Sequence, residues 1–543
     1  MTTKFDTIVI GGGIGGLTAG ATLARSGKKV LLLERHYIPG GCATTFKRKD
    51  FVMEVGLHEM DGLHELDSKV GIFENLGISE KINFQQAPEV FRFKQNGFDF
   101  TMPHGKKAGL KSLIKDFPHE EKAIRKMINL MEGVLREMAN FPDGIKAILM
   151  YPVLPFLYPN IVTASKHTVG SYLDKYLKDE KLKLLLQANI VYYSDDPYDM
   201  SLMYFAAAQS GYLSGDGHFV KGGSQQLSNY LANEITSNNG TVLLGKEVER
   251  ILVENDKAVG VSYTDTWNKA LGKTEVFADN IVANAAIPLV KQMLPLKQKA
   301  LFAKKFDALK PSCSLLSIYI GFKTDLKSVG VENYSTFMYD KDIETLSDVK
   351  KNNRGSWEKR AFVFVDYGQI DSGLVPKGKS VGVICGADYL TDWEKLDPLE
   401  YKKEKERIVT LIEKREIVRN TMELTFEKPL GFEYKAGQYV ILNLLKPTYT
   451  ELDMPIRSFS MTSHPDEKVL RFAMRLGPSS FKKSVNEMEI GDPIRIFGPM
   501  GNFHVGTKDK GIVFLISGIG ITPVPPLLIE LEKQQYKHPV YLF

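Results

Sequence analysis

The chain has 543 residues, too many for one hydrophobic core, and length alone suggests about three to four structural units. Apolar residues make up 43% and charged residues 25%, which excludes a disordered, collagen-like or coiled-coil chain. The net charge of +5 is too weak, and the basic residues too scattered, to argue for nucleic acid. It is compatible with contact to an anionic membrane surface. The three cysteines, Cys42, Cys313 and Cys385, are far apart and form no CxxC, so neither a disulfide framework nor a metal site is expected. A reducing, cytoplasmic setting fits best. Residues 1–6 have no signal-peptide layout, and no apolar run reaches the roughly 18 residues of a membrane span. The nearest, 147–159, holds three prolines. It reads either as a buried segment of a helical subdomain or as a monotopic patch that dips into lipid and admits an apolar substrate.

In chain order, 7–10 is a short apolar strand that runs into G-x-G-x-x-G at Gly11, Gly13 and Gly16, with Gly15 inside it. A helix is predicted over 17–26, ending at Gly27, then a strand over 28–33 that Glu34 terminates. Gly11 allows the tight turn, Gly13 lets the backbone approach a pyrophosphate, and Gly16 lets helix and strand pack closely. The helix N-terminus offers N–H groups to the phosphates, and Glu34 can accept from a ribose diol. A lone GxGxxG is weak; strand, helix, second strand and terminal acid together specify a dinucleotide.

Arg35 and a second glycine loop follow, Pro39-Gly40-Gly41-Cys42-Ala43-Thr44. NAD does not require such a loop. It resembles the E-R-x-x-x-x-G-G motif of FAD-dependent amine oxidases and carotenoid desaturases. Phe51-Val52-Met53-Glu54-Val55-Gly56-Leu57-His58 resembles the F-x-x-D-x-G-x-H segment of the phytoene desaturase, carotenoid isomerase and retinol saturase group, with Glu54 in the Asp position. That resemblance places Gly56 and His58 near the flavin. His58 is the best candidate acid or base, and a structural role for it stays equally open.

Lys221-Gly222-Gly223-Ser224-Gln225-Gln226-Leu227 opens a further helix and is similar to the same group's GG-x-x-x-L segment. Strands at 240–244, 248–251, 258–261 and 278–285 then return the chain to the cofactor domain, where the resemblance implies that Val248 meets the adenine through its backbone. Between them, helices over 120–140 and 171–188 dominate an insertion expected to carry much of the substrate cavity. Tyr192, Tyr193, Tyr204, Phe205 and Tyr212, around Asp195-Asp196-Pro197, either line a polyene tunnel or are simple core. Pro376-Lys377-Gly378, Trp393 and residues 401–405 agree with late segments of the retinol saturase and carotenoid isomerase branch.

From about 406 the character changes. Residues 415–426 alternate like barrel strands, followed by Ala436-Gly437-Gln438-Tyr439, Arg457-Ser458-Phe459-Ser460, Gly477-Pro478-Ser479-Ser480, Gly498-Pro499-Met500-Gly501-Asn502-Phe503 and Ser517-Gly518-Ile519-Gly520-Ile521-Thr522-Pro523. In this order they resemble the ferredoxin–NADP reductase type of flavin module. The resemblance implies that Arg457 pairs with a flavin phosphate and Ser460 bonds the isoalloxazine. Phe459 keeps the stacking face of the usual Tyr without its hydroxyl. Gly477, Ser479 and Ser480 suit a pyrophosphate at a helix N-terminus. Gly518, Gly520 and Thr522 match the loop that starts a pyridine-nucleotide domain.

The expected fold is α/β. A Rossmann-type FAD domain (1–71 and 218–290) carries an α+β substrate insertion (72–217 and 291–405). An antiparallel β-barrel flavin domain (407–508) and a truncated NAD(P)-binding α/β unit (509–543) follow. The late glycine-rich segment that closes FAD sites of this group is not found after Tyr401, and the nucleotide unit stops just into its second strand, as in a fusion or a fragment. The expected function is FAD-dependent saturation, desaturation or isomerisation of carbon–carbon double bonds in a hydrophobic isoprenoid polyene. NAD(P)H, and a second flavin (FAD or FMN) in the C-terminal module, would feed it electrons. An electron-transfer flavoprotein working with a redox partner, or an inactive fusion, is the alternative, and an amine-oxidase-like enzyme is a third. The expected setting is the cytoplasm, with peripheral membrane contact.

Overall fold

A computed structural model describes residues 4–142, 151–266, 272–309, 312–389, 391, 406–445, 447–449, 456–501, 503, 510–516 and 518–543. Trp393, residues 401–405, Asn502, Ser517 and residues 147–150 of the apolar stretch lie outside the described residues. The described residues fall into two units, one from the chain up to 389 and one from 391 onward.

The first unit is organised by Val30–Leu33, buried along its whole length as a strand covered on both faces must be. Phe5–Ile10 runs parallel to it, and Lys273–Ala283 runs parallel on the other side of Phe5–Ile10. Thr241–Leu243 extends one edge in parallel, and Lys257–Asp265 and Lys246–Glu254 extend the other antiparallel, giving six strands. The helices Ile14–Arg25 and Gln225–Ser237 pack together over Val9, Leu17, Leu32, Leu231 and Ile235. Their approach is close: a Cβ on Gly20 would lie 2.8 Å from Ile235 Cδ1. The first helix begins at Ile14, earlier than its apolar spacing predicts, because the fingerprint turn itself is its N-cap. It ends at Ser26, with Gly27 at φ +81°.

A second six-stranded sheet interleaves distant stretches, in the order Ser314–Phe322, Ser380–Asp388, Phe362–Asp366, Ser335–Tyr339, Phe91–Gln95 and Phe98–Met102. Helices cover it. In Glu121–Ala139 the buried Ile124, Met127, Ile128, Met131 and Val134 recur at helical spacing. The single helix predicted over 171–188 is instead two, Val169–Tyr176 and Glu180–Leu186. The break comes where Asp179 accepts the Leu182 N–H at 3.0 Å, a local cap that competes with helix continuity.

The second unit holds a six-stranded antiparallel sheet, ordered Ile456–Ser460, Tyr439–Leu444, Pro493–Met500, Glu406–Val418, Thr421–Glu427 and Val469–Arg475. Residues 415–426 span two strands: Asn420 at φ +62° turns a hairpin between Glu406–Val418 and Thr421–Glu427. Leu411, Leu424, Phe426, Val440, Phe472 and Ile496 fill the interior. Ile512–Phe514 and Val540–Leu542 then pair in parallel, with the helix Val524–Lys533 between them in sequence. No described helix is long and apolar enough to cross a membrane.

Candidate active site

Phe5–Ile10 delivers the chain into Gly11 at φ +96°, which glycine alone adopts without strain. The Gly11 N–H donates to the Leu33 carbonyl at 2.8 Å, and an added Cβ would lie 2.6 Å from the Asn284 carbonyl oxygen. Gly13 opens the helix with no side-chain cap and no acidic residue in the first turn, so N–H groups and the positive helix end face outward. A Cβ on Gly16 would collide with the Gly11 carbonyl, and one on Gly15 would lie 2.8 Å from Asn284 Oδ1. Asn284, at the end of Lys273–Ala283, thus closes the turn from behind, its N–H donating to the Ile10 carbonyl at 2.8 Å. Sequence reasoning gave Asn284 no role; its only signal was its place directly after a returning strand.

Glu34 is nearly buried. Its carboxylate accepts the Gly12 N–H at 2.6 Å and the His36 N–H at 2.7 Å, which orients it with lone pairs to spare for a diol. Its carbonyl accepts from Lys246, two residues before Val248, and Val248 packs with Leu31 and Leu33. Arg35 and Cys42 are exposed, and Ala43 is half-buried. The second glycine loop lies directly on the first. The Gly40 N–H donates to the Gly12 carbonyl at 2.7 Å, and a Cβ on Gly41 would lie 3.2 Å from Gly13 Cα. Helix Gln225–Ser237 fastens that loop: Gln225 Nε2 donates to the Pro39 carbonyl at 3.0 Å and Ser228 Oγ to the Ala43 carbonyl at 2.7 Å. Segments far apart in sequence thereby become one backbone-lined cradle.

The segment ending at His58 sits beside it. A Cβ on Gly56 would lie 3.0 Å from the Cys42 carbonyl. The buried Glu54 accepts from the Ser224 N–H and hydroxyl, and burial pushes its carboxyl up to about 7. His58 is buried, with Nδ1 3.1 Å from Tyr367 Oη, while the Tyr334 hydroxyl donates to its carbonyl. Burial lowers His58 to about 4, so its ring is neutral at physiological pH and a weak proton donor. Glu59 follows, buried and with no hydrogen-bond partner on Oε2; sequence reasoning passed over it.

The family model described as flavin containing amine oxidoreductase matches residues 14–412. The chain belongs to this family. As a member, it is an FAD-dependent oxidoreductase, and the cradle fits FAD: glycines stand where any Cβ would close it, above an uncapped helix start, with Glu34 placed for a ribose. The flavoenzyme is 27% identical over 442 residues to all-trans-retinol 13,14-reductase of Danio rerio, covering 75% of this chain and 71% of that protein. It is 27% identical over 362 residues to the Homo sapiens protein of the same name, covering 63% and 58%. It is 25% identical over 443 residues to chloroplastic prolycopene isomerase of Daucus carota, covering 76% and 66%. The chain thus spans only part of each relative's length. An oxidoreductase structure from Methanosarcina mazei shares the fold at TM-score 0.50 and 18% identity, covering 72% of this chain and 81% of that one.

On the insertion side of the flavoenzyme, Phe205 and Tyr212 are buried and Tyr192 and Tyr193 half-buried, all packed into the largest core. Tyr204 is 62% exposed, so it lines no interior tunnel. The cavity between Ile190, Val191, Phe337 and Tyr339 measures about 20 Å³, room for one water and not for a polyene.

In the second unit, Arg457, Ser458, Phe459 and Ser460 lie on an edge strand paired with Tyr439–Leu444. The Phe459 ring stacks on Phe481 at 5.9 Å, and the Arg457 guanidinium lies 5.6 Å from the same ring. Phe481 belongs to the helix Ser480–Glu487, whose N-cap is Ser479, so the structure brings Arg457 and Phe459 to the Gly477–Ser480 turn. Burial, with Arg457 and Arg475 nearby, lowers Lys482, and the Ser480 hydroxyl is buried without a partner. This concentration of positive charge at a helix start suits an anion. Gly518 and Gly520 are exposed and Thr522 half-buried, just before the helix Val524–Lys533.

Proposed function

We propose that this chain adds, removes or rearranges hydrogen at carbon–carbon double bonds of a hydrophobic retinoid- or carotenoid-like polyene. The observation that carries the reading is the union of the two glycine loops with the Glu54–His58 segment, which Ser224 and Gln225 hold in one cradle. The retinol reductase and prolycopene isomerase relatives support the substrate class. Gly11, Gly13, Gly15, Gly16, Gly40 and Gly41 would hold the pyrophosphate of FAD, Glu34 its ribose and Val248 its adenine. FAD supplies hydride exchange; the protein orients the apolar chain and keeps water out. The second unit would hold another flavin (FAD or FMN), with Arg457 and the Gly477–Ser480 turn on its phosphates and Phe459 on its ring, and would draw electrons from NAD(P)H at Gly518–Thr522. The Arg457–Phe481–Lys482 cluster supports this. The exposed Val153, Phe156 and Leu157, with Phe141 ringed against Tyr158, support a peripheral membrane contact near the insertion.

The test is flavin stoichiometry with turnover of all-trans-retinol. Two flavins per chain, bleached by NADPH, with loss of the polyene absorbance, support the reading. One flavin that survives deletion of residues 1–405 would sink it in favour of an electron-transfer protein. Peroxide release with amines would favour an amine oxidase.

A further inference from the structure

Resting on the reading of a peripheral membrane contact, we propose that the helical hairpin over residues 287–306 is a second lipid-facing element, whose partner is the surface of an anionic phospholipid bilayer. The hairpin leaves the cofactor sheet just after Lys273–Ala283. Its helices are Ile287–Met293 and Leu296–Phe306, parted at Pro295, which cannot continue the first of them. Val290, Met293, Leu294 and Phe302 turn inward and join the core around Ile251 and Val261. That anchorage holds the hairpin in place, yet no residue of Leu296–Phe306 is fully buried.

The outward side of Leu296–Phe306 is made of two adjoining rows at helical spacing. Leu296, Ala300 and Lys304 form one and Lys297, Leu301 and Lys305 the other, and all of them are exposed. Leu296 is 87% exposed and Leu301 58%, and Leu309, just past the helix, is 60% exposed. Exposed leucines scattered singly are ordinary on a protein surface; three gathered on one basic segment mark a contact. The charge of that segment is one-sided. Residues 287–309 hold Lys291, Lys297, Lys299, Lys304 and Lys305 against a single acid, Asp307. Lys291 takes Asp307 at 2.6 Å, and Lys297 takes Asp256 at 2.6 Å. Lys299, Lys304 and Lys305 have no ion-pair partner among the described residues, so their positive charge is left for a partner outside the chain.

The mixture of leucine and lysine selects the partner. A nucleic acid would engage the lysines and leave the leucines unused, and an uncharged bilayer would do the reverse. An anionic bilayer engages both: the leucines enter the boundary between headgroups and acyl chains, and the lysine stems lie along it with their ammonium groups at the lipid phosphates. Val153, Phe156 and Leu157 carry no charge, so that patch supplies apolar contact while the hairpin adds dependence on lipid charge. A polyene partitions into bilayers, so docking that depends on lipid charge decides which membrane the chain draws its substrate from.

Co-sedimentation of the full chain with phosphatidylcholine vesicles, with and without phosphatidylserine, tests the proposal. Phosphatidylserine should raise binding, and added salt should remove that increment. Lys304→Gln combined with Lys305→Gln should lose about fivefold in affinity for the anionic vesicles for each charge removed, with flavin content and binding to neutral vesicles unchanged. Leu296→Gln combined with Leu301→Gln should also lower binding to the anionic vesicles several-fold. Equal binding of the unaltered chain to both vesicle types, or an increment that survives loss of both lysines, overturns the hairpin while the contact at 153–157 stands. An increment that needs the lysines and ignores the leucines marks a charge-only surface, of the kind a nucleic acid would meet, and overturns the bilayer as partner. If the chain sediments with neither vesicle, the membrane reading itself fails and the hairpin proposal falls with it.

Discussion

Glu54 and Ser224, 170 positions apart, meet in two hydrogen bonds: the Ser224 N–H donates to the Glu54 carboxylate at 2.8 Å and its hydroxyl at 2.6 Å. This pair ties the segment ending at His58 to the start of the helix that clamps the second glycine loop. A buried acid at this point makes the cradle sensitive to pH.

Burial raises Glu54 from 4.5 to about 7 in the folded chain. A raised acid binds more protons folded than unfolded. Its contribution to stability is therefore complete below 4.5 and is lost as pH rises through about 7. Glu54→Gln removes this ionisation and should flatten the fall of Tm across that window, read by thermal scanning in buffers of matched ionic strength. A slope equal to that of the unaltered chain would show that Glu54 does not titrate there.

Gly16→Ala places a methyl against the Gly11 carbonyl at the mouth of the fingerprint helix. Flavin released per chain should drop by about tenfold or more, roughly 1.4 kcal/mol of binding. Gly27→Ala, at φ +81° with open space around its Cβ, should cost about 1 kcal/mol of stability and leave flavin content intact.

Phe205 and Tyr204 are neighbours in sequence with opposite fates, one fully buried and one 62% exposed. Phe205→Ala should destabilise the first unit by about 3–5 kcal/mol and Tyr204→Ala by under about 0.5 kcal/mol, measured by urea unfolding. Equal effects would contradict this burial pattern.

The proposed second flavin site is tested at Phe459: Phe459→Ala removes the ring that stacks on Phe481 beside Arg457 and, on that proposal, should lower the flavin bound by the second unit while leaving that of the first unchanged. Phe459→Tyr should retain it. Arg457→Ala should weaken binding more at low salt than at high salt if its charge holds the anion, because salt screens the interaction being removed; an equal loss at both would assign Arg457 to packing alone.

Phe156→Asp tests the membrane patch. The residue is 83% exposed, so the fold should tolerate the change, and co-sedimentation with anionic vesicles should fall several-fold. Unchanged co-sedimentation would place the contact elsewhere.

What the sequence determined by itself was local chemistry. Gly11, Gly13, Gly16 and Glu34 lie within one strand–turn–helix–strand unit, so spacing alone states their geometry. The same holds for the Gly477–Ser480 turn at the start of its helix. Tertiary structure decided everything that depends on packing between remote segments: that Asn284 backs the fingerprint turn, that Ser224 and Gln225 hold Glu54 and Pro39, and that residues 171–188 break at Asp179. It also decided the protonation of the candidate acids. His58 and Glu59 are adjacent in sequence, and nothing in the sequence states how deeply each is buried. Burial disfavours the ionised form of each: it lowers His58 to about 4, and with Glu89 and Asp61 nearby it holds the Glu59 carboxyl above its ordinary range. That outcome is set by what the rest of the chain packs against them.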